Sequence, residues 1–167
     1  MNLQRLLQKK RSAVLNKWLD DIFNTYPADT AKFLKGEKDM FANPVGHTIA
    51  ANAEYILEGL IKGDDGATQS AYLEWIIRIR AVQDFTPSQA VSFMNSLKMV
   101  IINQLKTEIR KHNLWDEWEE LEARIDSLTL MAFEIYAKMK EKIHHIRMKE
   151  LEKSERFLIK LMENRRE

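Results

Sequence analysis

Residues 114–166 read LWDEWEELEARIDSLTLMAFEIYAKMKEKIHHIRMKELEKSERFLIKLMENRR, with neither proline nor glycine. Those two residues are the strongest local interrupters of a helix, and without them nothing in the stretch stops one. A single helix of about 50 residues is expected, roughly 75 Å long at 1.5 Å per residue. No compact domain in a chain of 167 residues covers such a length. Its first half carries Trp118, Leu121, Ile125, Leu128, Met131, Phe133, Ile135, Tyr136 and Met139. Its last part has a thinner stripe, Ile143, Ile146, Leu151, Leu158 and Leu161, among Lys, Arg and Glu. The first half is expected to pack in a core. The second is expected to project or pair with another chain. The organisation that follows is a helical domain over 1–143 and a projecting helix over 144–167, with the stripe as its partner-binding residues.

Upstream the pattern is helical throughout. Leu3, Leu7, Val14, Trp18, Ile22 and Tyr26 recur at helical spacing, and Pro27 stops them. Asp29–Leu34 predicts a short second helix. Asn43-Pro44 predicts an N-cap with proline in the first turn of a third, and Gly46 fits close packing there. Gly63-Asp64-Asp65-Gly66 reads as an exposed turn. From about Thr68 to Gln83, apolar residues surround the helix almost completely, so a central, buried element is expected. Thr86-Pro87-Ser88-Gln89 has the pattern of a capping box opening another helix, which runs to about His112. Apolar alternation is absent. The fold class read from this pattern is all-α.

Composition narrows the function. There is no cysteine, which excludes disulfides, thiolate metal sites and cysteine nucleophiles, and suits a reducing, cytoplasmic setting. Lys plus Arg number 26 against 25 Asp plus Glu, so no global field points to nucleic acid or an anionic membrane. The basic tail lacks interleaved aromatics and is diluted by Glu141, Glu150, Glu152 and Glu155, which speaks against nucleic acid. No apolar run approaches the length of a membrane span. Nucleotide-binding, zinc-protease and nucleophile-elbow motifs are all absent, and no enzyme is expected. Glu141 and His144 have the spacing used in di-iron bundles, but such sites need two copies and further carboxylates. No metal or cofactor is expected.

The polar residues that stand out lie near the end of the apolar fourth helix. Charged groups are rarely buried without partners, so at least one of Arg78 and Arg80 is expected to meet a carboxylate such as Asp84 or Asp126, a helix C-terminus or an anionic ligand. The candidate ligand-contacting set is Arg78, Arg80, Gln83, His47 and Tyr136. His47 is otherwise a first-turn residue bonding locally. Met94, Met99, Met131 and Met139 are expected to fill the core, and Trp115 and Trp118 to serve the core or a dimer seam.

Three stretches carry a family likeness: Lys35–His47 (KGEKDMFANPVGH), Ile79–Ala90 (IRAVQDFTPSQA) and Glu122–Tyr136 (EARIDSLTLMAFEIY). Together they resemble the N-terminal domain of RsbRD-type proteins, the RsbT co-antagonist group of the bacterial stressosome. The likeness runs from the first helix to about Glu150. It implies a globin-like, non-haem sensor domain that dimerises and whose last helix leads to an output module. Nothing after Glu150 has the length of such a module, so partner binding is the expected role. The partners expected are a second copy and a separate signalling output protein. The competing expectation is a passive assembly adaptor with a filled interior and both arginines paired internally.

Overall fold

The computed structural model describes residues 1–165, and those residues form six helices. They are α1 Leu3–Phe23, α2 Ala28–Gly36, α3 Pro44–Lys62, α4 Gly66–Val82, α5 Pro87–His112 and α6 Trp115–Asn164. No strand occurs among the described residues. Five helices close a ring: α1 packs on α3, α3 on α4, α4 on α6, α6 on α5, and α5 back on α1. The short α2 leans on α1 and α3 from outside. Trp18, Ile49, Ile56, Leu57, Leu73, Ile76, Phe93, Leu97, Ile101 and Ile125 fill the middle.

Local chemistry sets the helix boundaries. The Asn43 side chain accepts from the Gly46 amide at the start of α3, with Pro44 in the first turn. Asp65 caps α4 through the Thr68 amide. Thr86 and Gln89 form both halves of a capping box at α5. Gly63 and Asn113 end α3 and α5 in the left-handed conformation. Asp84 adopts it too, with φ of 58°, and the Phe85 amide bonds back to the Arg80 carbonyl.

Two sequence expectations are corrected. The fourth helix is not enclosed on all sides: Leu73, Ile76, Ile77, Arg80 and Ala81 face the core, whereas Trp75 and Val82 are more than half exposed. The reason is the ring, in which α4 packs mainly on α3 and α6 and meets α5 only lightly, leaving one face to solvent. Met99 is likewise exposed, while Met94 is in the core.

The long helix is one element of 50 residues. Its core-facing residues run from Trp118 to Tyr136, and Met139 and Ile143 still lean on the core. Beyond Ile143 every described residue is exposed. The segment 144–164 spans roughly 30 Å of helix past the ring. The last two positions of the projecting segment, 166 and 167, lie outside the described residues.

Candidate functional site at the α4–α5 corner and along α6

Arg80 is on the core face of α4 and is wholly enclosed, with 0% exposure. One terminal N–H donates to the Gln89 carbonyl at 2.8 Å, and another to Thr25 Oγ1 at 3.2 Å. Its guanidinium lies over the rings of Phe85 (4.8 Å) and Phe93 (5.5 Å). Its Nε has no partner. Burial pushes its pKa down, but a guanidinium remains protonated in proteins. The carboxylates expected beside it are elsewhere. Asp126 sits 2.6 Å from Lys98 Nζ, whose pKa that hydrogen bond raises. The left-handed backbone at Asp84 places its carboxylate against α6, 3.2 Å from Lys140. Arg80 is therefore held by neutral oxygens and aromatic faces, a combination the planar cation accepts better than an ammonium would.

The corner joining α4 to α5 is tied to two other helices. Tyr26, just past α1, donates its hydroxyl proton to Gln83 Oε1 at 2.8 Å and sets its ring edge-on to Phe85 at 5.4 Å. Burial raises the Tyr26 pKa, and the Arg80 charge pulls the other way. From α6, the Tyr136 hydroxyl donates to the Phe85 carbonyl. Lys140 reaches the Ala81 carbonyl at 3.5 Å as well as Asp84. Arg147 Nη2 is 4.0 Å from the same carboxylate. The corner thus touches α6 just where that helix leaves the core.

Of the five candidate ligand residues, Arg80, Gln83 and Tyr136 meet around Phe85. Arg78 is on the outer side of α4, bonded to Glu74 at 2.9 Å and stacked over Trp75. His47 is in a separate groove between α1, α2 and α3, its Nε2 2.9 Å from the Lys38 carbonyl. Tyr26 and Phe85 complete the corner; the sequence marks Tyr26 only as the end of the first helix's apolar stripe and gives Phe85 no role, because no periodicity reaches a residue between two helices.

The projecting stripe divides between two faces. Ile143, Ile146 and Leu161 continue the core-facing line of α6. Leu151 and Leu158 lie about a quarter-turn away at 3.6 residues per turn. Leu151 falls on the line of Phe133, five turns earlier, and Phe133 and Leu130 are both solvent-exposed. Leu130, Phe133, Ala137, Met148, Leu151, Leu158 and Met162 together mark an outward line that begins on the domain and continues into the projection. Lys140, Glu141, His144 and Glu155 interrupt it. The sequence reading missed its first half, because large apolar residues there were all assigned to the core. Among the described residues no group of three or more His, Cys, Asp or Glu is placed to hold a metal ion. No helix there is long and apolar enough to cross a membrane.

A family model described as the RsbT co-antagonist protein rsbRD N-terminal domain matches residues 12–151. The match covers α2 to α5 whole, most of α1, and α6 to the first turns of its projecting part. No curated protein and no solved structure matches the chain.

Proposed function

The chain belongs to the RsbT co-antagonist protein rsbRD N-terminal domain family, and from that premise we propose a non-catalytic, cytoplasmic signalling module that pairs with a second copy along α6. The family points to a stress-signalling regulatory module. The observation that carries the finer reading is the continuity of α6. Its core half is buried, its far half is exposed, and one apolar line on its outer face runs through both. A helix with such a line is stabilised by a partner helix that covers it. The 1–143 body acts as the sensing part and 144–167 as the transmitting part. The α4–α5 corner, which grips α6 through Tyr136 and Lys140, is the contact through which a change in the body reaches the projection. A separate signalling protein receives the output.

Hydrogen exchange over 144–164, run at high and low protein concentration, tests this reading. Protection of that segment is expected to rise with concentration while the ring is unchanged. Equal exchange at both concentrations would remove α6 as the pairing element.

A second reading, the passive adaptor, is favoured by one observation: Arg78 and Arg80 both find partners within the chain. Native mass spectrometry of untagged protein separates the two. Extra mass on the pair supports a ligand-responsive module, and a clean pair supports the adaptor.

A further inference from the structure

Gln69 stands in the first turns of α4 and is 1% exposed. Both its amide nitrogen and its amide oxygen are buried without a hydrogen-bond partner. Leaving such groups unpaired is costly, and native interiors seldom do it. The amide lies against Gly59 of α3. A β-carbon there would fall 1.4 Å from Gln69 Nε2, so glycine is what admits the side chain. No bond holds the amide in that place.

Gln69 also lines a cleft of about 230 Å³ where the α3–α4 turn meets α6. Leu60, Leu128 and Met131 give it an apolar wall. Met131 lies over Gly66, where a β-carbon would come within 3.0 Å of its terminal methyl, and a thioether side chain adapts readily to a guest. Arg124 forms the opposite rim. It is already committed, donating to the carbonyls of Leu60 (3.0 Å), Asp64 (3.3 Å) and Gly59 (3.4 Å). The cleft therefore offers an apolar wall and, beside it, an unpaired donor and acceptor on one planar group, both closed to solvent until that unanchored amide turns outward. The cleft is smaller than those that hold drug-sized ligands.

We infer that this cleft binds a small, planar molecule with an N–H and a C=O side by side, such as a lactam edge, which pairs with the Gln69 amide. An amide side chain reads such an edge with two hydrogen bonds, as it does on a nucleobase. Five residues of α6, Ala123, Arg124, Ser127, Leu128 and Met131, line the cleft, so an occupant presses on the helix proposed to transmit. The binding site stands on the Gln69 geometry alone; only its regulatory meaning rests on the function proposed above.

The test uses the full chain and 2-pyridone as probe, with N-methyl-2-pyridone as the control that lacks the donor. The side-chain amide signal of Gln69 is followed by nitrogen-15 NMR at millimolar probe and assigned by its loss in Gln69→Leu. The expected result is a saturable shift of that signal with 2-pyridone, weaker by about tenfold in affinity with the methylated control. In Gln69→Leu, the remaining cleft signals should lose their response to 2-pyridone, and thermal stability should hold or rise. An unmoved Gln69 signal overturns the site. So does a marked fall in stability of Gln69→Leu, which would make the amide a structural group. The readout is independent of association state, so a chain that fails to pair leaves it intact.

Discussion

Asn43 is buried, yet all of its side-chain bonding needs are met nearby. Its amide nitrogen donates to the carbonyls of Leu34 (3.0 Å) and Glu37 (3.3 Å), and its oxygen accepts from the Gly46 amide at 2.9 Å. One residue thus closes the end of α2 and opens α3. Gly46 makes room for it, because a β-carbon there would come within 2.3 Å of the Asn43 amide. Gly46→Ala should therefore destabilise the fold by about 2 kcal/mol, although alanine is the better helix former. Urea unfolding checks this; a stabilised variant would show that Asn43 can cap without that space. Arg80 gives a second prediction at this scale. No carboxylate balances its charge, so Arg80→Met should cost less than about 1.5 kcal/mol. Arg80→Lys, which buries a compact and strongly hydrated ammonium, should cost about 3 kcal/mol. A better-tolerated lysine would point to an anion beside the site. The sequence reading located Arg80 as a buried cation but not its partners. Carbonyl and hydroxyl acceptors belong to every chain segment and leave no mark in a sequence, whereas carboxylates are conspicuous and were named instead.

Helices here begin and end where side-chain chemistry tells them to, and that chemistry was largely readable. Asn43-Pro44, Thr86-Pro87-Ser88-Gln89 and the run free of glycine and proline after Asn113 all mark real boundaries. Asp65 was read only as part of a turn, and the structure adds its capping bond to the Thr68 amide. That hydrogen bond holds the Asp65 carboxyl below its ordinary value. A depressed carboxylate contributes stability above its unfolded pKa of about 3.9 and loses that contribution as pH falls through the folded value. The melting temperatures of the native chain and Asp65→Ala should differ most at neutral pH and converge in acid. Asp65→Asn, which caps without titrating, should show no such convergence relative to Asp65→Ala. Thermal melts across the acid range decide the matter; a constant gap for aspartate would mean the cap bond is not carried by the charged form. The face of α4 was misread at this same scale. Composition around a helix says how apolar it is, but only the placement of its neighbours says which apolar residues they reach, and Trp75 and Val82 are left out.

At the scale of the molecule, five helices close on one another and the sixth stands outside the ring, while α6 alone continues past it. The long helix was legible because nothing interrupts it. The outward line from Leu130 to Met162 was only half legible, because exposed and buried apolar residues look alike until the body is folded. In the proposed account this line is covered by a second copy, and the ring stays folded whether or not the copies meet. Sedimentation equilibrium of the native chain and of a variant with Leu130, Leu151 and Leu158 changed to serine tests that account most directly. The native chain is expected to sediment at the mass of two chains, and the variant at the mass of one with an unchanged melting temperature. A native chain at the mass of one, or a variant still at the mass of two, would contradict it.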